Sequence, residues 1–259
     1  MNNVQSKNGG ILGPVYILWL RQVKKYFRSR SRIVGALGQP ILFLIALGFG
    51  FGAIYAKAGG GNYLEFLAPG IIAMSILFTA MFSGIEVIWD RQFGFLKETL
   101  VAPVNRTKIM FGRTLGGASV STFQGVIVLG ISMLLGFSLS NLWLLPLAII
   151  FMFLIALLFT ALGTAIASTM EDMQGFQLII NFVIMPLFFL SSALFPVEGL
   201  PEPLGLVVKL NPLTYGIDGI RGALTGISQF GLLLDFGVLA IITIVIMLIG
   251  SRMFSKIQL

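Results

Sequence analysis

Apolar residues in this chain run together on every side of a helical projection, with no alternation of two and no single apolar face. The stretches Ile33–Ala56 and Phe66–Ile85 carry no charged residue, and each is long enough to cross a hydrocarbon core of about 30 Å. A third uncharged stretch, Thr114–Met170, is far longer than one crossing needs. Ser138, Ser140, Asn141 and Pro146 in its middle carry turn chemistry, so it divides into two spans. A fifth span lies between Met173 and Pro196, and a sixth covers Leu232–Met253, with Asp235 near its outer end. Barrel strands would alternate apolar and polar residues over about ten positions, which these runs do not. The pattern predicts an all-α integral membrane fold with six transmembrane helices.

The segments between the spans are patterned too. Residues 1–32 form an N-terminal segment, and 33–259 the six-span transmembrane domain. In Gly13–Arg32, Val15, Leu18, Trp19, Gln22 and Tyr26 share one side of a helix while cations gather toward its end. That predicts an amphipathic helix in the membrane interface with cations toward anionic lipid, serving either as a topology anchor or as a mechanical element. The loop 89–113 sets Phe93, Leu96 and Leu100 at helical spacing among Arg91, Lys97 and Glu98, and stops at Pro103. A short amphipathic helix there fits a partner's groove or the membrane surface. Segment 196–230 is too apolar for a free loop and is punctuated by Pro196, Pro201, Pro203 and Pro212. Short re-entrant helices in the outer leaflet are predicted, which require packing against protein. Asp218 and Arg221, three apart, can pair on one side of such a helix, as a structural pair or as substrate contacts. Gly112, Gly116, Gly117 and Ala118 mark close helix packing at the start of the third span.

Composition narrows the function. Hydrophobic residues make up 57% of the 259 and charged ones 10%, too few charges to cover a water-soluble surface. With no His and no Cys, thiolate and imidazole metal sites and histidine acid/base chemistry are excluded. No GxxxxGK[ST] phosphate loop occurs, and the few carboxylates are dispersed, so nothing supports an enzyme. The net charge of +7 belongs to topology rather than to nucleic acid: of the 17 Lys and Arg, only Lys57, Lys209 and Arg221 fall on one side of a six-span arrangement. Such asymmetry predicts cytoplasmic N- and C-termini in a multi-pass cell-membrane protein. The first apolar stretch lacks the form of a cleavable signal. Glu65 and Glu86 bracket the second span and the long third run has no acid. That argues against ion-coupled transport, which keeps ionisable groups near the midplane.

Three stretches resemble one family, the permease subunits of type-2 ABC exporters, particularly daunorubicin-resistance and nodulation-factor export permeases. One is the basic N-terminal helix running into RIVGALGQPILFLIALGFG from Arg32 to Gly50. The second is DRQFGFLKETLVAPVNRTKIMFGR, with Arg91, Gly94, Glu98, Leu100, Pro103, Arg106 and Gly112. The third is NPLTYGIDGIRGAL, with Asn211, Pro212, Tyr215, Asp218 and Arg221. The resemblance implies a half-transporter working as a homodimer or with a close homologue, served by two copies of an ABC ATP-binding subunit. ATP and Mg would then sit on that partner, with no cofactor on this chain. It also implies that Arg91, Gly94, Leu96, Glu98, Leu100, Pro103 and Arg106 form the coupling element, and that Asn211–Arg221 caps the outer end of the path. The cargo expected is hydrophobic or amphipathic: a drug, lipid or glycolipid-like molecule. A stand-alone ion-coupled or facilitative carrier and a non-transport membrane scaffold are the alternatives.

Overall fold

The computed structural model describes residues 12–57, 62–95, 104–197 and 200–255. Helix α1, Leu12–Arg28, is the amphipathic segment. Ser29 interrupts it, and α2, Arg30–Lys57, follows as the first span. Pro40 lies inside α2 and removes one rung of its hydrogen-bond ladder. Asn62 caps α3, Tyr63–Phe82, by accepting from the Leu64 N–H. After Ser83 and Gly84 the chain continues as α4, Ile85–Gln92, the end of the same 30-residue crossing.

Helix α5, Arg106–Leu134, is capped by Asn105. Gly136, at φ +107°, and a 3-10 turn at Leu142–Leu144 then separate it from α6, Leu145–Ser168. The division of the long uncharged stretch is therefore where its serines and asparagine placed it. Asp172 caps α7, Met173–Phe189, whose 17 residues reach only about 26 Å. Two short helices follow, α8 (Glu202–Leu210) and α9 (Pro212–Thr225), and then the last span, α10 (Leu232–Ser255). Among the described residues five helices are long and apolar enough to cross a membrane, and α7 is a shorter apolar one. Among the described residues there is no strand.

Helix α3 is the axis of the bundle: 72% of its spanning window is buried, against 17% for α2 and 17% for α10. It can be so enclosed because glycines let backbones meet. A Cβ on Gly84 would lie 2.4 Å from the Gly163 carbonyl oxygen, and one on Gly163 would lie 2.5 Å from that of Met81. The α3–α4 junction thus rests directly on the backbone of α6. Helices α2, α7 and α10 turn Phe49, Phe182 and Ile241, among others, outward, as lipid-facing surfaces do.

Candidate functional site

Among the described residues, the carboxylates held in ion pairs, Glu86, Asp90 and Glu171, lie at the end of the bundle where the cations gather, called here the basic end. On α4, Glu86 and Asp90 are four residues apart and so share a face; both are buried, Asp90 at 7% exposure. Facing them on α1 are Arg21 and Lys25, also four apart and running antiparallel. Arg21 Nη2 reaches Asp90 Oδ1 at 3.3 Å and Lys25 Nζ reaches Glu86 Oε1 at 3.5 Å. Arg32, at the start of α2, gives Nη1 to the same Glu86 oxygen at 2.8 Å. Arg113 of α5, 4% exposed, donates to Asp90 Oδ2. Four helices are therefore joined through two carboxylates.

The contact of α1 with α5 is made close by small residues. A Cβ on Gly112 would lie 3.0 Å from Leu18 Cβ and one on Gly116 would lie 2.6 Å from Gln22 Cβ, a small-xxx-small face. Across it, Trp19 Nε1 donates to Ser119 Oγ at 3.0 Å, and the Tyr26 hydroxyl donates to Gln124 Oε1. Burial raises the Tyr26 phenol above its ordinary pKa, so it stays a donor. The apolar side of α1 thus packs on protein, while Tyr16, Ile17 and Phe27 remain exposed on it.

The end of α4 is tied to the α6–α7 turn as well. Arg91 Nη2 pairs with Glu171 Oε1 at 2.9 Å, and its Nη1 donates to the Met170 carbonyl at 3.3 Å. Gln92 Nε2 reaches the Glu171 carbonyl at 3.0 Å, and Trp89 Nε1 donates to the Met173 sulfur. Gly94, at φ +80°, ends the helix in a conformation that side chains disfavour. It leaves Phe93, 70% exposed, at the surface with Phe95. Arg106 opens α5 and donates Nη1 to the Ser255 carbonyl at 2.8 Å, fastening α5 to the end of α10. Leu96, Glu98, Leu100 and Pro103 lie outside the described residues.

The second predicted group sits at the opposite end. Asn211 caps α9 through Leu213 N–H, and its amide donates to the Leu187 and Leu190 carbonyls at 2.6 and 2.8 Å. Pro212 begins α9, and the Tyr215 hydroxyl donates to the Lys209 carbonyl at 2.8 Å. Asp218 and Arg221 are both buried, but each holds a different element. Asp218 accepts from Ser228 Oγ and from the Gln229 and Phe230 amides at 3.0, 2.8 and 2.9 Å. Arg221 donates to the Ser192 carbonyl at 2.7 Å and stands over the Phe66 ring at 4.3 Å. The motif ties α9 to α3, to the segment after α7 and to the loop before α10, and nothing in it is arranged as a chemical centre.

Sequence reasoning singled out the loop but not the four-helix ionic junction beside it. The signal was present: Glu86 and Asp90 are four apart at the end of an apolar span, opposite Arg21 and Lys25 at the same interval. Arg113 carried no signal, because only the fold turns it toward Asp90. Among the described residues no group of acids could hold a metal ion.

Residues 14–225 match the model of the ABC-2 type transporter family. The chain is 31% identical to the putative transport permease ycf38 of Cyanophora paradoxa, over 91% of its own length and 87% of that protein's. It is 29% identical to nodulation protein J of Rhizobium leguminosarum bv. viciae, over 92% and 93% of the two chains. Against the inner membrane transport permease YadH of Escherichia coli K12 the identity is 27%, over 90% and 91%.

Proposed function

The chain belongs to the ABC-2 type transporter family, and on that ground we propose that it is the membrane subunit of an ATP-driven exporter whose fuel is consumed by a separate partner. The observation that carries this reading is the ionic junction on α4. A helix that exists only to connect two spans needs no buried carboxylates, which are costly to desolvate. Here they link α4, which leads into that loop, to α1, α2 and α5 at once.

The basic end faces the cytoplasm, where positively charged segments are retained. Two ATP-binding subunits dock there, one for each of two permease copies, and hold ATP and Mg. The loop that follows Gly94, with its flanking Phe93 and Phe95, is the docking element. When the partners close on nucleotide they push on α4, which continues α3 through Ser83 and Gly84. Because α4 also grips α1 and α5, the push moves a rigid group of helices rather than one loop. A hydrophobic or amphipathic cargo then passes between the two copies, and α8 and α9 cap the far end of its path.

Co-expression with a cognate ABC ATP-binding subunit tests this. The expected result is a stable complex whose nucleotide hydrolysis drives flux in liposomes, while Glu98→Ala and Leu100→Ala keep hydrolysis and lose flux. Flux in liposomes that hold this chain alone, without nucleotide, would refute it.

A further inference from the structure

Between α1, α2 and α3 at the basic end lies a cavity of about 400 Å³. Its apolar wall is Pro40, Met74, Phe78 and Phe82, the two phenylalanine rings stacked with centroids 6.4 Å apart. Arg32 is the one charged residue among those lining it, and Tyr26 lines it too. One side chain on the lining lacks a partner. Ser75 Oγ is buried, at 2% exposure, with no hydrogen-bond partner. The Ala36 carbonyl, also on the lining, has lost its usual donor because Pro40 has no N–H. Gln39 and Thr79 also line the cavity. From Arg32 to Pro40 the cavity wall rises eight residues of helix, about 12 Å. An unsatisfied hydroxyl in a mostly apolar cavity marks a place for a ligand that brings hydrogen-bonding groups of its own.

Arg32 has two claims on it. Its Nη1 bonds Glu86, yet Glu86 also holds Lys25, and the Arg32 side chain is 32% exposed. Were Arg32 to turn toward a ligand, Glu86 would keep a cation, so the exchange leaves no bare carboxylate. We propose that this cavity binds amphipathic anions, with the acidic head at Arg32 and the apolar body between Pro40, Met74, Phe78 and Phe82, and that the bound head competes with Glu86 for Arg32. Occupancy would loosen one of the bonds by which α4 is held, giving the loop after α4 a report on whether cargo is present. The assignment of the ligand as cargo rests on the permease reading; the binding itself does not.

The test uses the full chain in phosphatidylcholine nanodiscs, with empty discs subtracted, and two fluorescent probes of one ring system. Anilinonaphthalene sulfonate carries the anion and N-phenyl-1-naphthylamine does not. Loss of a charge-assisted bond predicts that Arg32→Gln weakens the sulfonate by about tenfold or more and leaves the neutral probe within about twofold. Both Glu86→Gln and Glu86→Asp, which keeps the charge but withdraws it by a methylene, are expected to tighten the sulfonate several-fold. Ser75→Trp, which fills the cavity, abolishes both probes. Equal weakening of the two probes by Arg32→Gln would overturn the anion site, as would retained binding in Ser75→Trp. Tightening by Glu86→Gln alone would overturn the competition, since a simple field effect behaves that way. No nucleotide or partner enters this assay, so its failure leaves the exporter reading standing, and failure of coupled flux leaves the cavity standing.

Discussion

Replacing Arg113 by Met asks how much of the basic end depends on one buried ion pair. Asp90 is 7% exposed and Arg113 4%, so removing the arginine leaves a nearly buried carboxylate with the half-exposed Arg21 as its remaining ion-pair partner. Breaking a buried pair from one side costs about 3–5 kcal/mol. The other partner of Asp90 is Arg21, whose side chain is 46% exposed, and a solvated pair of that kind is worth about 1 kcal/mol or less. Arg21→Gln is therefore expected to be mild where Arg113→Met is severe. Two nitrogens of Arg113, Nε and Nη1, have no acceptor, so the pair is itself imperfectly satisfied. The double variant Asp90→Asn with Arg113→Met should then recover much of the loss, because it removes both desolvated charges together. Thermal unfolding of the purified protein, followed by monodisperse elution after heating, reads this directly. Arg113→Met is expected to lower the midpoint on the order of 10 °C, and Arg21→Gln by about 3 °C or less. Equal losses in the two single variants would refute the argument from burial, and a double variant worse than Arg113→Met would refute the argument from stranded charge.

Three further outcomes follow from the same geometry. Gly116→Leu places a side chain where even a Cβ meets Gln22 at 2.6 Å; it should lift α1 from α5, lowering stability by about 1–3 kcal/mol and making α1 accessible to limited proteolysis. Arg221→Lys is expected to fall short of wild-type thermal stability despite keeping the charge, since a lysine cannot both reach the Ser192 carbonyl and cover the Phe66 ring as the planar group does. Asp218→Ala removes the acceptor of two backbone amides and should expose the 228–230 loop to hydrogen exchange at a cost of about 1–3 kcal/mol, whereas Glu202→Ala on exposed α8 should leave exchange unchanged.

Much of the architecture was legible because the bilayer imposes it. Uncharged runs of fixed length have few options in hydrocarbon, and the serines, asparagine and proline between 138 and 146 broke the longest run where α5 and α6 part. Glycines at 112 and 116 announced a close approach, though not that α1 makes it. The cations of α1 and α2 read naturally as facing lipid; Lys24, Arg28 and Arg30 do stay exposed, but Arg21, Lys25 and Arg32 turn to α4. Asp218 and Arg221, at a spacing that allows a pair, serve separate carbonyl and amide partners instead.

Run length, charge asymmetry and turn chemistry are properties of consecutive residues, and by themselves they determined that this chain is a helical membrane protein of about six crossings with a basic end. Which carboxylate meets which cation depends on the rotation of each helix about its axis. That rotation is set by packing between elements far apart in the chain, so the ionic junction on α4 and the cavity beside Arg32 were decided only when α1, α2, α3 and α5 came together.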